Sequence, residues 1–205
     1  MRLAARIGQS NCMFPIALNL KIIPVLLAGR GELLEKRLAL ITAYGAASLR
    51  VFSDEPTPQL EKATFVTHGL PSAEDMMQAS VVLIAGLPRQ QAEKLAHQAR
   101  ALGKLVNVED INDLCDFYFT ANIRRGDLVI AVSTSGASPT LARKVRDAIA
   151  RRFGPEWEAR VQELSSLRLS LKAGGASLRE VMDTTEAFLK EKKWLPENDD
   201  EGKAA

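Results

Sequence analysis

Cysteine is scarce in this chain: of 205 residues two are cysteine, Cys12 and Cys115, far apart and in no CxxC spacing. That excludes a disulfide framework, argues against a zinc site and fits a reducing compartment. Histidine is equally scarce. His68 and His97 stand without a partner at metal-ligand spacing, so both read as surface or half-buried side chains and no resident metal is expected. An excess of one charge is also missing, since 27 Lys and Arg face 25 Asp and Glu for a formal charge of +2. A nucleic-acid partner would require a marked basic excess. No apolar run approaches the roughly eighteen residues of a membrane span, and the first dozen residues lack the apolar stretch of a signal peptide. These absences lead us to expect a soluble, cytoplasmic protein with neither nucleic acid nor membrane as partner. Residues 1–12 and 197–205 show no clear periodicity and read as loose termini, with Met13 a candidate start.

What is present is enough apolar sequence, 46% of residues, for one or two domains with a real core. From Ile22, IIPVLLAGRGELLEKRLALITAYGA reads as an apolar strand, a glycine turn and an amphipathic helix ending at Tyr44-Gly45. A second strand, SLRVFSDE, follows; then come ATFVTHG, the helix-like PSAEDMMQA, the wholly apolar VVLIAG, a helix from about Arg89 to Leu102, and KLVNVED. Apolar strands alternating with helices predict a parallel sheet covered on both faces, a Rossmann-like α/β domain. After Asp110 the pattern changes. Residues 113–133 hold two β-rich runs separated by Arg124-Arg125-Gly126-Asp127, which predicts an antiparallel pair. A helix rich in arginine then runs from Pro139 to Arg152, and the rest to about Lys193 reads as helical apart from the break AGGAS. The pair Met76-Met77 reads as core.

Gly29-Arg30-Gly31 supplies the first two glycines of a dinucleotide fingerprint, one for the tight turn and one for close approach of backbone to pyrophosphate. Leu34 stands where a third small residue belongs, so an ordinary βα turn fits the pattern equally well. Asp54, with Glu55, closes the second strand at the distance of a ribose contact. A carboxylate there repels a 2′-phosphate and favours NAD over NADP, although a solvated turn acid fits as well. Asn107, Glu109 and Asp110 end the strand LVNVED, where open α/β sheets place their ligand crevice. Asp110 is therefore a candidate general base, expected in a partly apolar crevice; a capped turn is the plain alternative. The stretch STSGASP, 133–139, brings small hydroxyls and glycine to the start of a helix with no acid in its first turn, which suits an anion. Ser138 as N-cap with Pro139 at N1 accounts for it structurally too. A Ser-x-Ser-Gly run also resembles the phosphate loop of sugar isomerase domains.

Taken in order, MFPIALNL, VLLAGRGELLEKRLALITAYGA, LVNVEDINDLCDFYF and IRRGDLVIAVSTSGASPTLARKVR resemble the precorrin-2 dehydrogenase family, also called the siroheme synthase amino-terminal module. The resemblance covers Met13 to about Pro196 and is most specific from Val106 to Arg146, where VNVxD, CDF, RRGDLVIAVST and SPxLAR keep the family's order and spacing. It implies a homodimer whose subunit has an NAD-binding Rossmann-like domain (13–112), a dimerisation and substrate region (113–152) and a small helical domain (153–196). It implies NAD-dependent oxidation of precorrin-2 to sirohydrochlorin, with ferrous iron as a further substrate in some members. The family's aspartate, proposed as base or proton acceptor, falls on Asp110, and a serine near the active site of some members falls on Thr134. The implied cofactor set is Gly29, Arg30, Gly31, Glu32, Asp54, Gly86 and Asn107. The carboxylates of the tetrapyrrole would meet Arg124, Arg125, Ser133, Thr134, Ser135, Gly136, Ser138, Arg143 and Arg146, arginine because its planar fork binds carboxylate bidentately. The chain departs from the family at the cofactor turn. Arg30 interrupts a run of three glycines, Leu34 replaces a small residue, and Gly86-Leu87-Pro88 stands where a Thr-Asp pair is usual. Those departures keep a second reading in view, a tetrapyrrole-binding ferrochelatase without a redox step; a sugar-phosphate-binding domain is the third.

Overall fold

The computed structural model describes residues 13–195. Both stretches expected to be loose, 1–12 and 197–205, lie outside the described residues. The chain divides into two units, Met1–Phe119 and Thr120–Ala205.

The first unit is a five-stranded parallel sheet of β1 (Val25–Gly29), β2 (Leu49–Ser53), β3 (Val66–His68), β4 (Val81–Ala85) and β5 (Leu105–Val108), in the order β3-β2-β1-β4-β5. Helices α1 (Gly31–Ala43), α2 (Pro58–Ala63), α3 (Ala73–Met77) and α4 (Arg89–Ala101) connect them. Leu26 and Ala28 of β1, Val82 and Ile84 of β4, and Val106 and Val108 of β5 form one core with Met76, Ala92, Leu95, Ala96 and Ala99 of α3 and α4. Val25, Leu27, Val81 and Leu83 form another with Leu34, Leu38 and Ile41 of α1 and Leu60 of α2. Successive strand residues face opposite sides, so an unbroken apolar run is what a sheet covered twice demands. The Rossmann-like α/β expectation holds.

Several local expectations do not. The first strand begins at Val25 rather than Ile22, because the N–H groups of Ile22 and Ile23 both donate to the Asn19 carbonyl in a turn. Of the methionine pair Met76 is buried, whereas Met77 is 57% exposed. The first β-rich run of 113–133 is no strand. Asn112–Leu114 is a 3-10 turn, and Asp116 then takes over the edge of β5, its carboxylate accepting from the Val106 N–H at 2.8 Å while its own N–H donates to the Val106 carbonyl at 2.8 Å.

In the second unit β6 (Ala121–Arg125) and β7 (Leu128–Val132) form an antiparallel hairpin with Arg125 opposite Leu128. Arg124 and Arg125 thus belong to β6, and the connection is the pair Gly126-Asp127 alone. Helices α5 (Pro139–Arg152), α6 (Trp157–Ala173) and α7 (Leu178–Lys192) follow. Trp157 packs against Phe153 and Trp194, with ring centroids 4.9 and 6.5 Å away. Among the described residues no helix is long and apolar enough to cross a membrane.

Candidate functional site

The sheet's connections leave β1 for β2 on one side and β4 for β5 on the other, so the ends of β1 and β4 flank the switch point where open α/β sheets bind ligands. Glycine is compulsory there. A Cβ on Gly29 would lie 1.8 Å from the Ala85 carbonyl oxygen, and one on Gly86, at φ +74°, would lie 2.2 Å from the Arg30 carbonyl oxygen. The Arg30 N–H donates to that Ala85 carbonyl at 3.0 Å and stitches the two strand ends together. Gly31, at φ +59°, opens α1 and borders open space. No side chain caps α1, which leaves its first N–H groups available to an anion. The third fingerprint position is filled differently from the usual pattern: Leu34 is fully buried under the sheet, so α1 packs through a large side chain.

Arg30 does not point idly into solvent. Its Nε donates to Asp54 Oδ1 at 2.7 Å and its Nη2 to Oδ2 at 2.5 Å, and its Nη1 lies 3.1 Å from Glu55 Oε1. The Asp54 carboxyl is held below its ordinary pKa chiefly by the hydrogen bonds from Arg30, and the Arg30 guanidinium is held above its own by Asp54. The acid expected to meet a ribose is therefore already engaged. Glu32, in the first turn of α1, pairs with Lys36 at 2.7 Å. Asn107, expected to face the cofactor, is instead buried, and its amide donates to the Phe117 carbonyl at 2.9 Å, tying β5 to the segment that follows.

Asp110 comes two residues after β5, in the left-handed region at φ 60°. It is exposed rather than enclosed in the partly apolar crevice anticipated for it. Next to it Glu109 continues the ladder, its N–H donating to the Ile84 carbonyl at 2.8 Å, and its carboxylate pairs with Arg37 of α1. The Arg37 guanidinium is only 10% exposed and stacks 3.8 Å over the Phe119 ring. Burial lowers its pKa while the negative charge of Asp110 acts to raise it. Sequence reasoning missed Arg37. A cation three residues after Leu34, on the side of α1 that carries the buried leucines, was the available signal.

In the second unit the hydroxyls of 133–138 first hold their own loop. Thr134 Oγ1 donates to the Ser138 carbonyl at 3.0 Å and accepts from the Ser138 N–H at 3.1 Å, and Ser133 Oγ accepts from the Ser135 N–H at 3.1 Å. Ser138 caps α5 through the Leu141 N–H at 3.2 Å, and Ser135 and Gly136 take left-handed conformations. Arg125 donates to the Phe153 carbonyl at 3.0 Å, Arg124 to the Gly126 carbonyl at 3.3 Å, and Arg146 pairs with Asp147 at 2.6 Å. Arg143 is exposed on α5. His68 is exposed and lies 3.1 Å from Glu61. Among the described residues no group of three or more His, Cys, Asp or Glu side chains could hold a metal.

An open parallel sheet with a compulsory glycine turn at its switch point defines an NAD(P)-binding domain of the Rossmann type. Residues 16–121 match the family model described as "Putative NAD(P)-binding", and 125–152 match "Sirohaem biosynthesis protein central". The chain belongs to that NAD(P)-binding family, and the sirohaem central region follows directly on it, in the order that the motifs quoted from the sequence led us to expect. It is 37% identical over 139 residues to a siroheme synthase of Methylococcus capsulatus, covering 66% of this chain and 29% of that one. A siroheme synthase of Neisseria meningitidis is 33% identical over 141 residues, with 66% and 29% covered. The chain thus spans under a third of the length of these relatives. Among solved structures, SirC, a precorrin-2 dehydrogenase, superposes with a TM-score of 0.71 at 21% identity, covering 90% of this chain and 93% of that one. The sugar-phosphate reading is set aside, since its loop lies inside the sirohaem-matched segment. A nicotinamide dinucleotide fits the glycine turn as built.

Proposed function

We propose that the chain oxidises precorrin-2 to sirohydrochlorin with NAD. The carrying observation is that Asp110 stands exposed in a left-handed turn after β5, at the same carboxyl end of the sheet as the glycine turn between β1 and β4. The N–H groups at Gly31 and the start of α1 bind the pyrophosphate. A bound nicotinamide supplies the hydride acceptor. Asp110 takes the proton that leaves with that hydride, and the Arg37–Glu109 pair holds the turn that presents it. Arg124, Arg143 and Arg146 bind substrate carboxylates, with the loop 133–138 presenting N–H groups and hydroxyls. Ferrous iron is proposed as a further substrate, with the exposed Asp110 accepting the two displaced pyrrole protons one at a time and passing each on to solvent. Exposed Val129, Leu141 and Val145 support a homodimer formed through the second unit, which sedimentation would test.

One observation favours a second reading. Arg30 occupies the acid of the ribose position, as a chain that had lost its cofactor and kept tetrapyrrole chelation could tolerate. Anaerobic incubation with precorrin-2, with and without NAD, separates the two through the visible spectrum. NAD-dependent appearance of sirohydrochlorin supports the redox enzyme, and its collapse in Asp110→Asn, with dinucleotide binding retained, supports the role of Asp110. Sirohydrochlorin binding without any dinucleotide binding selects the second reading.

A further inference from the structure

The pairing register explains why Arg30 meets Asp54. In the β1–β2 ladder Val25 faces Leu49 and Ala28 faces Phe52, and Arg30 and Asp54, also 24 residues apart, stand two positions beyond its last pair. Arg30 is anchored from behind, since its carbonyl abuts Gly86 and its N–H is bonded to Ala85. Its backbone cannot retreat, so the side chain reaches along the strand ends to the tip of β2. A dinucleotide whose pyrophosphate lies on the glycine turn puts its adenosine ribose at that tip. The group it meets is not the bare pair of carboxylates that the sequence suggests. It is a cluster in which one guanidinium offsets one of two negative charges, with both Asp54 oxygens engaged.

Resting on the dinucleotide reading above, we propose that Arg30 is a specificity-determining residue that lets this site accept NADP as well as NAD. With NAD, the guanidinium stays on Asp54 and holds that carboxylate still, while its remaining lone pairs accept from the ribose hydroxyls. With NADP, the guanidinium turns from Asp54 to the 2′-phosphate, an exchange of one oxyanion for another by the same planar fork. The side chains of Arg30 and Asp54 are 21% and 28% exposed, so water can reach both during the exchange. A bare Asp54 and Glu55 would repel the phosphate and restrict the site to NAD.

Calorimetric titration of the whole chain with NAD and with NADP tests this without any turnover. Wild type is expected to bind both within about tenfold of each other. Arg30→Gln should raise the ratio of the NADP to the NAD dissociation constant about tenfold or more, the size of one lost hydrogen bond between charged groups. Asp54→Asn releases the guanidinium and should move the same ratio the other way. Opposite shifts from the two halves of one pair cannot come from a general loss of folding. Wild type that binds NAD but takes NADP more than a hundredfold more weakly, or an unchanged ratio in Arg30→Gln, overturns the inference and leaves the dinucleotide reading standing. Binding of neither dinucleotide overturns that reading and the inference with it.

Discussion

At the residue scale the site is a set of side chains and glycines with little freedom to be anything else. Gly86 combines a left-handed backbone with a carbonyl where its Cβ would go, so Gly86→Ala must both strain φ and push Arg30 away from the crevice. A loss of about 1–3 kcal/mol is expected, read from urea midpoints, together with weaker dinucleotide binding; wild-type stability in this variant would mean that the close approach is not real. Asp54 carries a pH signature. Because Arg30 holds its folded-state pKa below the ordinary value, its contribution to stability is complete above the usual carboxylate range and is lost as pH falls through the depressed folded value. The melting temperature of wild type should exceed that of Asp54→Asn at neutral pH, and the two should converge in acid. A gap independent of pH would remove the ion pair as its source. Arg37 shows the other way a residue escapes notice: it sits beside the buried leucines of α1 because a carboxylate and an aromatic ring enclose it, and neither partner is near it in sequence.

Elements behave as their end residues dictate. Helix α5 starts where Ser138 accepts from the Leu141 N–H and Pro139 takes the first helical position. Ser138→Ala should cost about 1 kcal/mol, seen as a lower urea midpoint with an unchanged slope, and should leave the Thr134 bonds to the main chain of residue 138 intact. An effect near zero would show that the cap is dispensable. Residues 113–119 carry the opposite lesson. Phe117, Tyr118 and Phe119 have strand propensity, yet the Asp116 carboxylate and the Cys115 thiol satisfy the main chain of Val106 and Val108. Side chains close the edge of β5 there, so no further strand is needed.

Across the whole molecule the apolar burial is uneven. Apart from Ile123, Ala142, Trp157 and Val181, every buried apolar side chain among the described residues lies in the first unit. Hydrogen exchange on the full chain should therefore be slowest in β1, β4 and β5 and faster in α6 and α7; equal protection in α7 and β4 would refute that ranking. The same distribution explains what was readable in advance. Continuous apolar strands, helical periodicity and glycines with no alternative conformer are local properties, so the sequence by itself determined the parallel sheet, the glycine turn, Asp110 at a strand end and the helix beginning at Pro139. Which charges meet is a matter of strands brought side by side. That Arg30 lies over Asp54, that Arg37 lies against Glu109 and that Asn107 is spent on Phe117 were decided by tertiary structure alone, because each contact joins residues ten or more positions apart through a register that no local pattern encodes.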